Sequence, residues 1–218
     1  RVTGLVRPDT NVPLGSVLLE PEEITRIYDD LAEDRTVVKL KDCPKTLRDA
    51  IVCTEDRRFY SHSGFDMRSM LRAGVSNLKH GAVTEGGSTI TQQLVKNLFL
   101  NRKRVMSRKV REIWIAMAME REYTKDQILE MYINEIYMGS YNHAGVCGMG
   151  GAARVLFDKD VSDVSLPEAA LLAGMIKAPN AYSPYRYPDK ARARRNLVLQ
   201  LMKDQGKITE KEYAGARK

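Results

Sequence analysis

Three features of this 218-residue sequence predict a mainly α-helical fold. Capping boxes recur, with Thr124 and Gln127, Ser165 and Glu168, and Thr209 and Glu212 each pairing a hydroxyl residue with a side chain able to reach back to its amide. Apolar residues repeat at helical spacing, as in Met67, Met70, Leu71, Val75 and Leu78. Strand-type patterning is confined to the first forty residues, where Leu5 to Leu19 holds alternating and β-branched residues broken by Pro8 and Pro13. A hydrophobic content of 43% suffices for one substantial core, or a core with a small accessory lobe. The moderate charge content and the lack of repeats or low-complexity tracts exclude disorder and solenoids.

Two segments are expected: residues 1–42, extended and strand-containing, leading into a domain over residues 43–218. Along that domain a helix starts near Pro44 with Leu47, Ala50 and Ile51 on its apolar face. Asp66 caps the next, which Gly81 ends. Gly86 and Gly87 feed a third, whose Ile90, Leu94 and Leu98 face inward while Thr89, Gln93 and Lys96 form a polar stripe. Another opens at Ser107 and runs through Ile113 to Met119, the longest apolar run and one that fits a buried helix. The Thr124 box opens a helix that Gly139 closes. Between Tyr137 and Ser165 the chain is rich in Gly, Asn and Asp, which predicts a surface path with one short helix near Ala152 to Phe157. Pro167 in the first turn strengthens the Ser165 start.

The net charge of +7 points to an anionic partner: nucleic acid, an anionic membrane surface or a phosphorylated substrate. The basic clusters at Arg102-Lys103-Arg104, Arg108-Lys109 and Arg192 to Arg195 lack interleaved aromatic residues, which argues against nucleic acid. No apolar run reaches the ~20 residues that span a bilayer. The chain starts at Arg1 without a signal sequence, so a piece of a longer protein, with any anchor outside it, is the expectation. Cys43, Cys53 and Cys147 are odd in number and lack ligand spacing, so they define neither a disulfide framework nor a zinc site.

Several motifs carry chemistry. Glu55 and Asp56 are adjacent acids at a helix end, where the dipole disfavours them, so either chemistry or an exposed acidic turn explains them. The Thr89, Gln93 and Lys96 stripe suits diphosphate and sugar hydroxyls as well as it suits a solvated face. Arg108 and Lys109 oppose the dipole of their own helix start, and an anion docked there would reverse that cost. Neutralising either is therefore expected to weaken anion binding and to raise stability slightly. The plain alternative is an Arg108–Glu112 ion pair. Ser76-Asn77-Leu78-Lys79 matches the Ser-x-x-Lys of acyl-enzymes but lies inside an amphipathic helix without the partner motifs. The glycines from Gly145 to Gly151 lack the flanking strand and acid of a dinucleotide site.

Taken in order, Glu55 to Gly64, Gly86 to Gln93, Arg108 to Glu112, Ile128 to Asn134, and Lys177-Ala178-Pro179 followed by Arg194 to Leu199 resemble the peptidoglycan glycosyltransferases, glycosyltransferase family 51, as found in class A penicillin-binding proteins. The resemblance covers residues 43 to 218. It implies a lysozyme-like, mostly helical head lobe with a smaller hydrophobic jaw facing the membrane. It implies polymerisation of lipid II into β-1,4-linked strands, with inversion at C1 of the donor MurNAc and release of undecaprenyl diphosphate. It assigns catalysis to Glu55 as base and to Glu112 as a second acid. Glu112 organises the diphosphate directly or through a divalent metal, Mg or Mn. Substrate contacts fall to Thr89, Gln93, Lys96, Asn97, Arg108, Lys109 and Lys177. Asp56, Phe59 and His62 support Glu55.

The implied partners are lipid II, the growing glycan chain, the membrane surface and other cell-wall synthesis proteins, with no nucleic acid. The implied location is the outer face of the bacterial cytoplasmic membrane, and the family is the target of moenomycin. Monofunctional enzymes share these motifs, while the N-terminal segment favours a bifunctional parent. Met67 to Leu78 and Leu98 to Val105 form either an apolar rim at the lipid interface or part of the core. The alternatives in function are a lysozyme-like hydrolase or lytic transglycosylase, and a non-catalytic membrane-surface glycan-binding module.

Overall fold

The computed structural model describes residues 33–72, 87–99, 106–141 and 144–218. Residues 1–32 of the N-terminal segment, Ser76 to Lys79, the expected stop at Gly81 and the Arg102 to Arg104 cluster lie outside these. The described residues are mainly helical, as expected.

Strand β1 (Glu33–Arg35) precedes helix α1 (Lys45–Glu55), which begins after Pro44. A helical segment at 67–72 is capped by Asp66, whose Oδ1 accepts from the amides of Arg68 (3.1 Å) and Ser69 (3.3 Å). Then follow α2 (Ile90–Phe99), α3 (Met106–Glu122) and α4 (Lys125–Glu135). The expected boxes at Thr124, Ser165 and Thr209 all form. They open α4, α6 (Leu166–Met175) and α8 (Glu210–Ala216); α7 (Pro188–Asp204) lies between the last two.

Two expectations need correction. The helix from Thr124 stops at Glu135, four residues before Gly139. Strands β2 (Tyr137–Tyr141) and β3 (Ala144–Cys147) follow, and α5 then runs over the whole of Gly148–Phe157. The sheet order is β1-β3-β2, with β1 parallel to β3 and β2 antiparallel to it. These strands are short, and an irregularity between Tyr137 and Gly139 breaks the alternation that marks a strand in sequence. The glycines of this region serve packing: a Cβ on Gly150 would lie 2.6 Å from Thr36 O, so only glycine lets α5 pass that close to the strand lead-in.

The second correction concerns α3. The run from Ile113 to Met119 is not buried all round: Ala116 and Met119 face the core with Glu112, while Trp114 is 67% exposed. The buried positions follow the i, i+4, i+7 spacing of one helix face; Ile115 packs against the core at its edge, and Trp114 points away from it.

Helix α1 packs against α6 and α7, and α2 against α3 and α4. Leu47 and Ile51 of α1, Ile90 and Leu94 of α2, Ile128, Leu129 and Tyr132 of α4, and Leu172 of α6 are fully buried in one continuous core. The lead-in joins it at Val38 and Leu40. Asn134 pairs with Val38 as a strand would, its Oδ1 accepting from the amide and its Nδ2 donating to the carbonyl, both at 2.8 Å. Glu130 Oε2 accepts from the Leu40 amide at 2.7 Å. Two side chains of the Ile128 to Asn134 motif thus hold the lead-in on α4.

Candidate active site

A cleft of about 510 Å³ opens where α1 ends. Glu55 is the last residue of α1 and Asp56 its C-cap, so the adjacent acids part there and take different surroundings. Glu55 faces the cleft, half-buried. Its Oε2 accepts from Gln93 Nε2 at 2.9 Å, and Gln93 Oε1 accepts from the Tyr132 hydroxyl at 3.0 Å. Burial pushes the Glu55 carboxyl above its ordinary value. The Gln93 hydrogen bond and the charges of Arg194, Lys177 and Lys96 oppose that rise.

Asp56 turns inward. Its Oδ2 accepts from the Ile90 amide (3.1 Å), the first of α2, and from His62 Nε2 (2.8 Å). A carboxylate at that helix start is matched to the dipole. Phe59, fully buried, packs edge-on to His62, with the Lys125 ammonium 4.5 Å from its ring centre. In the segment that follows Glu55, Asp56 and His62 are thus joined by a hydrogen bond, with Phe59 against the His62 ring.

Thr89 lines the cleft, but its hydroxyl is committed. It donates to Gly64 O (2.8 Å) and accepts from the Gln92 amide (3.1 Å), while Gln92 Oε1 accepts from the Thr89 amide (3.2 Å). In this geometry Thr89 is the cap of α2 and a tie to Gly64 rather than a donor to a ligand. Gly64 has φ +84, and a Cβ there would lie 2.7 Å from the Ala116 carbonyl, so the 55–64 segment lies directly on α3.

Further along α2, Lys96 and Asn97 are exposed on the Gln93 side. Lys109 Nζ donates to Ser88 Oγ (2.9 Å) and pairs with the buried Glu112 carboxylate. The ion pair of Glu112 is thus with Lys109, not with Arg108: Lys109 lies one turn away at i, i+3 on the side facing Ser88. Arg108 Nε is buried without a hydrogen-bond partner among the described residues. Lys177 also lines the cleft.

Glu112 offers a divalent ion one carboxylate, and the Lys109 ammonium already faces it. No group of three His, Cys, Asp or Glu side chains converges among the described residues. Mg and Mn favour several oxygen ligands, of which Glu112 supplies one among the described residues.

Sequence reasoning passed over two residues. Arg194 lines the cleft and is held by its Nε donating to Gly174 O at 3.1 Å. In sequence it belongs to the Arg192 to Arg195 cluster and to the Arg194 to Leu199 motif with no role of its own, yet it stands three residues after Ala191 and four before Val198, both buried, which puts it on the inward face of α7. Tyr132 lay in a quoted motif without a role. Its sign was a hydroxyl on the otherwise apolar stripe of Ile128, Leu129 and Ile133.

A helical domain with the Glu55 carboxylate in a cationic cleft suits chemistry on an anionic substrate. Residues 20–203 match the family model described as Transglycosylase, and the chain belongs to that family. It is 43% identical over 196 residues to penicillin-binding protein 1F of Bacillus subtilis, covering 90% of this chain and 26% of that protein. It is 41% identical over 209 residues to penicillin-binding protein 1B of Escherichia coli, covering 96% and 25%. The crystal structure of penicillin-binding protein 1A from Haemophilus influenzae superposes with TM-score 0.52 at 26% identity, over 86% of this chain and 18% of that one. The chain spans about a quarter of the length of these curated relatives.

Proposed function

We propose that the chain is a peptidoglycan glycosyltransferase that polymerises lipid II into β-1,4-linked glycan strands. One observation carries this reading: Glu55, held by Gln93 at 2.9 Å, faces a cleft whose lining includes Arg57, Arg72, Lys177 and Arg194. The 4-hydroxyl oxygen of the acceptor GlcNAc attacks C1 of the donor MurNAc, and Glu55 takes the hydroxyl proton. The bond from C1 to the diphosphate oxygen breaks, undecaprenyl diphosphate leaves with the electron pair, and the α-linkage inverts to β. A positioned base contributes roughly 10² to 10⁴-fold, and a carboxyl raised by burial is the stronger base. Lys96, Arg108 and Lys109 meet the leaving charge from side chains.

The protein works at a membrane surface, on the outer face of the bacterial cytoplasmic membrane. Met67 and Leu71 are 62% and 66% exposed, and Leu98 and Phe99 at the end of α2 are exposed as well, which favours the rim over core packing at these positions. No helix among the described residues is long and apolar enough to cross a membrane.

Incubating the purified protein with lipid II in detergent, then separating polymer, disaccharide fragments and unreacted lipid, tests the activity. Polymer with release of undecaprenyl diphosphate is the expected product. Disaccharide fragments with no polymer would make the protein a hydrolase, and unreacted lipid would make it a binding module.

A further inference from the structure

We infer that Tyr132 is a positioning residue for the base: by donating to Gln93 Oε1, its hydroxyl fixes which end of the Gln93 amide meets Glu55. The inference rests on Glu55 being the base of the proposed reaction. Three helices contribute one residue each, Glu55 from α1, Gln93 from α2 and Tyr132 from α4, joined by hydrogen bonds of 2.9 and 3.0 Å.

A primary amide can turn either end to a carboxyl group. Its NH₂ supports the ionised form, while its oxygen repels that form and accepts from the neutral one. Tyr132 is fully buried, so its single proton needs an acceptor inside the protein, and Gln93 Oε1 is that acceptor. Turning the amide over would set Nε2 against the phenol oxygen, strand the phenol proton and place Oε1 against the Glu55 carboxylate. The tyrosine proton and the carboxylate charge therefore select the same orientation. Burial and the charges of Glu55 and Asp56 hold the phenol well above its ordinary value, so the proton is always there to give. Packing alone requires no hydroxyl among Ile128, Leu129 and Ile133, where phenylalanine would fill the same space.

Tyr132→Phe keeps the ring and deletes the proton. Gln93 is then free to turn, Glu55 loses its assured donor, and burial raises its carboxyl further. The acidic limb of the pH profile of kcat/KM should move upward by about half to one unit. That is roughly three- to tenfold slower polymerisation on the acid side, with recovery toward the wild-type rate on the alkaline side and an unchanged KM for lipid II. Gln93→Leu should move the limb in the same direction, and adding Tyr132→Phe to it should move it no further, since the hydroxyl acts only through the amide.

The experiment is lipid II polymerisation from about pH 5 to 9 by the wild type, Tyr132→Phe, Gln93→Leu and the double variant, with thermal midpoints alongside and Glu55→Gln in the same series. An upward limb in Tyr132→Phe, absent from the Gln93→Leu background, is the expected result. An unmoved limb, an equal loss at every pH, or an added shift in the double variant would overturn the role of Tyr132. Turnover surviving in Glu55→Gln would instead remove the base on which the inference rests, whatever Tyr132→Phe does.

Discussion

Lys109 and Glu112, one turn apart on α3, form an ion pair in which the carboxylate is 3% exposed and the ammonium extends to Ser88 Oγ at 2.9 Å. This pair ties the first turns of α3 to the loop entering α2. It also overturns one expectation for Lys109: the charge that opposes the helix dipole is compensated, so removing it leaves a buried carboxylate without its partner. Lys109→Gln should lower stability by about 1 to 2 kcal/mol, the moderate size reflecting a partly exposed ammonium, and lower Tm by several degrees.

Arg108→Gln should behave differently, because Arg108 takes no part in that pair. Its midpoint should stay level or rise slightly as a cation leaves the helix start. Affinity for a phosphoglycolipid inhibitor such as moenomycin should fall at least about tenfold, one charge-assisted hydrogen bond to phosphate being worth about 1.5 to 3 kcal/mol. Calorimetric binding and a melting curve on the same two variants check both statements. Unchanged affinity in both would place the diphosphate elsewhere.

Asp56 joins the end of α1 to the start of α2 through the Ile90 amide and braces His62. Asp56→Ala should cost about 2 to 3 kcal/mol, because a buried amide and an imidazole N–H both lose their acceptor. Gln93 sits one turn beyond Ile90, so the polymerisation rate should fall by more than the loss of folded protein explains. Rates corrected for folded fraction, measured well below Tm, decide this.

Gly64→Ala should be among the most damaging small changes. Its Cβ would meet the Ala116 carbonyl at 2.7 Å, in a backbone conformation that favours glycine, and neither backbone can yield cheaply. A loss above about 2 kcal/mol is expected, read as a fall in the denaturation midpoint.

Glu55 links catalysis to stability with a definite sign. Its folded carboxyl is raised by burial above the ordinary value of 4.5, so the native state binds more protons than the unfolded state above that pH. Stability from this group is present below about 4.5 and is lost as pH rises through the raised value. Glu55→Gln removes the penalty, so it should melt higher than the wild type at neutral pH, and the difference should vanish below about pH 4.5. A scan of Tm against pH for both proteins is the check.

The helical class and most helix starts were legible because caps and apolar stripes are local signals: Thr124, Ser165 and Thr209 carry theirs within four residues. Strands β2 and β3 were not, since five and four residues interrupted by glycine show no alternation and owe their form to pairing with each other and with β1. At the site, Glu55, Gln93 and Lys177 were found through their motifs, and the structure brings them to one cleft. Thr89 showed only that it was polar; that its hydroxyl is spent on Gly64 and Gln92 depends on a contact 25 residues away. Tyr132 and Arg194 were hidden for opposite reasons, one looking like core and the other like surface.

The central claim is that Glu55 takes the acceptor's proton, and Glu55→Gln with lipid II tests it most directly. The amide keeps the shape and the hydrogen bond from Gln93 but cannot accept the proton, so polymer should disappear while lipid II binding and the fold persist. Turnover above about a tenth of wild type, too small a loss for a general base of roughly 10² or more, would contradict it.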